Sequence, residues 1–158
     1  MSITSWQIQP VEDEAAVASV RALMQEYWDS FGFTPCFQNF GDELAGLPGA
    51  YAPPHGRLAL ATIGGQPVGC IALRRVDAQR AEAKRLYVRS AFRGHGHGRA
   101  LLEWVMSEAR AAGYQEIVGD TMPAMRDALA LYNTMGFEST APYAEQPTEG
   151  AIFIRIKL

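Results

Sequence analysis

Seven consecutive residues, Arg93-Gly94-His95-Gly96-His97-Gly98-Arg99, hold the densest chemical signal in the chain. Three glycines in five positions cost backbone entropy on folding, so they need a reason. Glycine lets backbone approach a ligand closely, and a turn that feeds a helix start presents unpaired N–H groups and a positive dipole end. The ligand this implies is a phosphate ester. A dinucleotide-binding turn would place a third glycine where Arg99 stands, and a Walker A loop would continue into Gly-Lys-Ser/Thr, which is absent here.

Other reactive side chains point to less. His95 and His97 lack the Cys or carboxylate spacing of a zinc site, so they read as turn histidines and no metal is expected. Cys36 and Cys70 lie far apart, form no CxxC pair and follow no signal-peptide pattern, which suggests a reduced, cytoplasmic setting. Cys70 sits in an apolar run and reads as a small core residue.

The elements that must position this turn follow from the hydrophobic spacing. A short strand is expected over 5–9. The apolar residues Val17, Val20, Leu23, Met24, Tyr27, Trp28 and Phe31 recur at three and four, which predicts an amphipathic helix within 12–31. A shorter helix is expected over 38–47, then an irregular loop over 48–56, which is rich in Pro and Gly. Apolar runs at 58–63 and 68–74 flank Gly64-Gly65 and predict a hairpin. A polar turn at 77–80 leads to a strand over 84–88. Beyond the glycine turn, a helix over 100–112, a strand over 116–120, a helix over 125–135 and strands near 137–139 and 151–157 complete one mixed sheet with helices on both faces.

Strand, glycine turn and helix occur together with Ala130-Leu131-Tyr132 and Gly136-Phe137. Arg93, Gly96 and Gly98 match the R/Q-x-x-G-x-G/A signature of the GNAT superfamily of N-acyltransferases. The strand Glu82 to Val88 and the segment 130–137 also resemble that family. Residues 57–137 carry the likeness, while the N-terminal helices match in order only. The resemblance implies a mixed α/β fold with a mostly antiparallel sheet of six or seven strands, splayed between the fourth and fifth. It also implies acetyl-CoA as co-substrate. The pantetheine would pair with the backbone of Leu86, Tyr87 and Val88, and the pyrophosphate would lie on Arg93, Gly94, His95, Gly96, His97, Gly98 and Arg99.

On that resemblance the reaction is acyl transfer to a primary amine by direct attack on the thioester. The amine must lose a proton and the departing thiolate benefits from gaining one. Glu82, eleven residues before Arg93, stands where relatives carry a carboxylate base, provided a strand bulge turns it to the cleft; the alternative is a surface carboxylate paired with Lys84 or Arg85. Tyr132 stands where relatives carry the acid beside the sulfur, the alternative being a core tyrosine. The N–H of Val88 is the expected oxyanion donor.

The whole chain agrees in scale. Its 158 residues suit one domain, 1–158, able to bury a core without disulfides or a structural metal. A net charge of −3 argues against nucleic acid, and no apolar run is long enough to span a membrane. The charge is unevenly placed. Eight of the 14 basic residues fall within 74–99 against two acids, while the first fifty residues hold seven acids and one base. This suits a polyanion on the middle segment and a cationic acceptor, a small molecule or peptide amine, near Asp29, Asp42 and Glu43. Trp28, Tyr51 and His55 are further candidates for that pocket. A homodimer is compatible with all of this. The reading from another class is a CoA-binding sensor or interaction module without catalysis.

Overall fold

The computed structural model describes residues 5–33, 39–144 and 147–158; Cys36 and the expected helix start at residue 38 lie outside them. The chain runs β1 (Trp6–Pro10), α1 (Glu14–Ser30), α2 (Phe40–Ala45), β2 (Arg57–Ile63), β3 (Gln66–Arg75), β4 (Arg80–Val88), α3 (His97–Ala111), β5 (Glu116–Thr121), α4 (Arg126–Thr134), β6 (Glu138–Ser139) and β7 (Ile152–Lys157). All seven strands form one sheet in the order β1-β2-β3-β4-β5-β7-β6, and only the β4–β5 pair is parallel.

Alternation along β2 divides the core into two layers. Ala59 and Ala61 face α3 together with Ile71 and Leu73 of β3, whereas Leu58 and Leu60 face α1 together with Cys70 and Ala72. Helix α1 covers its side with Val20, Leu23, Met24 and Trp28, the three-and-four spacing read from the sequence. Its N-terminus is capped by Asp13, whose Oδ1 accepts from the N–H of Ala16 at 2.8 Å. Helix α3 buries Leu101, Leu102, Val105 and Ala109 on the opposite side, where α4 contributes Tyr132. No helix among the described residues is long and apolar enough to cross a membrane.

Several bounds differ from the sequence reading. The strand expected from residue 84 begins at Arg80, because the Asp77 carboxylate accepts from the N–H groups of Gln79 and Arg80 at 2.9 and 2.8 Å and closes the turn early. Helix α3 begins at His97 rather than 100, since a first turn tolerates Gly98 where a helix interior would not. The loop over 48–56 holds one short 3₁₀ turn, Gly49–Tyr51.

Candidate active site

The site begins where two strands part. β4 and β5 pair over three rungs only, Arg80↔Glu116, Ala81↔Ile117 and Glu82↔Val118. β5 continues along β7 through Thr121, whereas β4 stays with β3. Between these diverging strands lies a cavity of about 700 Å³. Residues 83–88 form one wall, Asp120 to Met122 and α4 the other, the glycine turn one end and α1 the roof.

A bulge in β4 decides which side chains face which way. Cys70 pairs with Tyr87 and Ala72 with Lys84, so two residues of β4 oppose one of β3, and Arg85 takes a φ of +59°. Before the bulge Ala83 faces α3, and after it Val88 does so, while Tyr87 packs towards α1. Without the extra residue these phases would be reversed. Arg85 is held in this conformation by a two-point ion pair with Glu43, at 2.8 and 2.7 Å. Its guanidinium lies 4.8 Å from the ring centre of Trp28 and 5.2 Å from that of Phe40. The buried thiol of Cys70, whose pKa burial pushes up to about 12, donates to the Arg85 carbonyl at 3.4 Å.

At the far end of β4 the N–H of Arg89 donates to Val68 on the β3 side, at 2.8 Å. Successive N–H groups of a strand point to opposite sides, so that of Val88 points towards the cavity. The carbonyl of Val88 is already taken by Arg93 Nε at 2.8 Å, which ties the turn to the strand it follows. Gly94 and Gly96 have φ of +82° and +83°, where side-chain-bearing residues are strained, and a Cβ on either would meet nothing within 4 Å. That open space borders the first turn of α3, whose Gly96 cap offers no side chain to its N–H groups.

Arg93, Gly94, Gly96, His97, Gly98 and Arg99 all line the cavity. His95 does not; it is exposed, with Nδ1 2.9 Å from the Arg93 carbonyl. His97 stacks on Trp6 of β1 with ring centres 4.0 Å apart, and burial together with His95 lowers its pKa. Among the described residues no group of three or more His, Cys, Asp or Glu could hold a metal ion.

The two expected proton-transfer residues differ in placement. Tyr132 is 6% exposed and lines the cavity, with its ring 5.2 Å from Phe137. Its hydroxyl makes no hydrogen bond with any described residue, and burial, then the charges around it, push its pKa well above the ordinary tyrosine range. Glu82 is neither exposed nor in the cavity wall. At 2% exposure it accepts from Arg74 Nε at 2.5 Å and from the Tyr143 hydroxyl. Its nearest ion-pair partner is thus Arg74 of β3, directly opposite in register, with Lys84, one of the two expected partners, further off, and the carboxylate is buried rather than on the surface.

Several residues of the site carry no signal in the sequence reading. Lys84 Nζ stands 3.9 Å from Glu82 Oε1 and 3.9 Å from Asp120 Oδ1, and both Lys84 and Asp120 line the cavity. Tyr27, Phe31 and Phe33 join Trp28 in the roof. The Tyr27 hydroxyl, its pKa pushed up to about 12 by burial, reaches Met125 Sδ at 3.5 Å and so bridges α1 to the segment before α4. Thr121 Oγ1 is buried with no partner among the described residues. Of the expected acceptor residues only Trp28 lies in the wall. His55, Asp29 and Asp42 are exposed elsewhere, and Tyr51 is buried beside Glu43.

Comparisons with known proteins agree with this arrangement. Residues 19–137 match the model of the Acetyltransferase (GNAT) family. An uncharacterized N-acetyltransferase of Schizosaccharomyces pombe is 35% identical over 140 residues, 87% of this chain and 86% of that protein. N-acetyltransferase family 8 member 2 of Rattus norvegicus is 36% identical over 106 residues, 64% of this chain and 47% of that one. Among solved structures, an acetyltransferase from Streptococcus agalactiae shares the fold with a TM-score of 0.83 at 22% identity, covering 97% of this chain and 98% of that one. A GNAT acetyltransferase from Elizabethkingia anophelis, solved with acetyl-CoA bound, shares it at 0.67 and 22%, with 97% and 98% covered. The chain belongs to the GNAT acetyltransferase family, and the region from strand splay to glycine turn and α4 lies within its acyltransferase domain.

Proposed function

We propose that residues 1–158 form one N-acyltransferase domain that moves an acetyl group from acetyl-CoA to the primary amine of a small molecule or peptide. The observation that carries this is Tyr132, a largely buried phenol that lines the cavity between β4 and β5 and whose hydroxyl makes no hydrogen bond to any described residue. A hydroxyl in the cavity wall that makes no hydrogen bond to a described residue is available to donate to a group bound there.

The residues present suit acetyl-CoA, whose thioester supplies the acyl group. The open space over Gly94 and Gly96, the uncapped first turn of α3 and Arg99 suit a pyrophosphate. The cavity-facing edge of Leu86, Tyr87 and Val88 suits the pantetheine amides. In the transfer, the amine nitrogen forms a bond to the acyl carbon, the carbon–sulfur bond breaks, the amine loses a proton and the sulfur gains one. The Val88 N–H steadies the carbonyl oxygen, and Tyr132 gives its proton to sulfur. Glu82 receives the amine's proton through water, because it does not itself reach the cavity.

The test pairs two measurements: calorimetry with acetyl-CoA, and free-thiol release on adding an amine panel. Binding with amine-dependent thiol release supports acyl transfer. Binding with no release under any amine turns the reading to a non-catalytic acyl-CoA module.

A further inference from the structure

The α1 side of β4 and β5 carries charged groups of two kinds, in the cavity wall and just behind it. Glu82 is committed to Arg74 and Tyr143, and Arg85 to Glu43. Lys84 and Asp120 are held only by long ion pairs, with Lys84 Nζ 3.9 Å from Asp120 Oδ1 and 3.9 Å from Glu82 Oε1, whose charge Arg74 already offsets. Their side chains are 12% and 17% exposed, and neither makes a hydrogen bond to any described residue. One cation and one anion therefore stand side by side in a part-buried wall with their hydrogen-bonding capacity unused. Held there, a simple ammonium would meet Lys84 and a simple carboxylate would meet Asp120, each a like charge at short range. A ligand carrying both charges on neighbouring atoms meets neither penalty.

The roof above this pair is aromatic. Tyr27 and Phe31 stand with ring centres 5.5 Å apart, and Phe31 and Phe33 stack at 5.6 Å, all three lining the cavity. Such a wall suits a flat apolar group on the same ligand.

We propose that the acceptor is an aromatic α-amino acid, bound with its carboxylate on Lys84, its amino group on Asp120 and its ring against Tyr27, Phe31 and Phe33. The assignment rests on the acyl-transfer reading above and names its second substrate.

The test measures thiol release with acetyl-CoA and phenylalanine or tryptophan, their amides, the decarboxylated phenethylamine and tryptamine, and glycine. The amino acids should exceed the amides, the decarboxylated amines and glycine by about tenfold or more in kcat/KM. Lys84→Met should lower the ratio of amino acid to amide by about tenfold, chiefly through KM, and Lys84→Arg, which keeps the charge, should retain most of it. Amides or decarboxylated amines used as well as the amino acids overturn the subsite while acyl transfer stands. So does glycine used equally well, or an unmoved ratio in a folded Lys84→Met protein. No thiol release with any of these amines, beside release with another member of the amine panel, overturns the subsite while acyl transfer stands; no release with any amine, by a protein that binds acetyl-CoA in calorimetry, overturns both.

Discussion

Tyr132 and Glu82, both buried, differ in what they touch: the first lines the cavity with its hydroxyl unpaired among the described residues, the second is taken up by Arg74 and Tyr143 behind the wall. Tyr132 is held by its ring against Phe137 and has its hydroxyl to spare, so Tyr132→Phe removes a proton without removing packing. Its kcat should fall by about 10²-fold with the KM for acetyl-CoA nearly unchanged, read by steady-state kinetics. Because burial raises the phenol pKa, Tyr132 keeps its proton through the ordinary tyrosine range of about 10, so it should produce no alkaline fall in kcat below that value. Glu82→Gln acts on two levels. It breaks a buried charge-assisted bond to Arg74, which should cost on the order of 2 kcal/mol, read as a lowered melting temperature. If it also relays the amine's proton, kcat falls by about 10²-fold near neutrality and recovers partly at high pH, where more of the amine is already unprotonated. A lowered melting temperature with unaltered pH–rate behaviour would return Glu82 to a structural role. That Tyr132 lines the cavity follows the family resemblance of Ala130-Leu131-Tyr132 and Gly136-Phe137 rather than any periodicity. Asp120 was not legible, since nothing in Gly119-Asp120-Thr121 records that β5 leaves β4 two residues earlier. Tyr27 and Phe31 were legible as apolar helix positions, but the same spacing serves a core and a cavity roof equally.

At the scale of elements, the hairpin between β2 and β3 and the helices α1, α3 and α4 could all be read from periodicity and turn residues. The bulge in β4 could not. A positive φ at an arginine has no sequence signature; it survives here because Glu43, Trp28 and Phe40 over-determine the side chain from another element. The start of β4 was obscured for a related reason. Arg80, read as the end of a polar turn, pairs with Asp77 inside that turn, and Glu82 and Lys84 find their counter-charges on Arg74 of the neighbouring strand and Asp120 beyond the splay. The glycine turn is the element whose expectation is sharpest. Gly96→Val places a β-branched side chain at φ +83°, which should cost roughly 1–2 kcal/mol of stability. It also fills the open space beside the first turn of α3. Acetyl-CoA affinity should fall by about tenfold or more in a protein that remains folded by circular dichroism. Unchanged affinity in calorimetry would remove the turn from the phosphate site.

For the molecule as a whole, the pair formed by Glu43 on α2 and Arg85 on β4 joins the N-terminal helices to the sheet. Burial alone would raise the Glu43 pKa, but the hydrogen bonds and charge of Arg85 outweigh it, so the folded value lies below the unfolded one. Its contribution to stability is therefore complete above the ordinary glutamate value of about 4.3 and is lost as pH falls through the lower folded value. The stability gap between the native protein and Glu43→Gln, taken from urea midpoints, should be widest near neutrality and narrow below about pH 4. The three-rung junction of β4 and β5 has a mechanical consequence. It divides the sheet into a block of four strands and a block of three, and the cavity removes any further backbone rungs across that line. Such a boundary is where subglobal opening is expected to begin, with β5, β6 and β7 as one cooperative unit. A ligand that touches both blocks acts as a clasp. Saturating acetyl-CoA should therefore slow amide hydrogen exchange not only along Leu86 to Val88 but throughout β5 and β7, whose N–H groups lie on the far side of the seam. Protection confined to β4 and the glycine turn would show instead that the two blocks open independently of what lies between them.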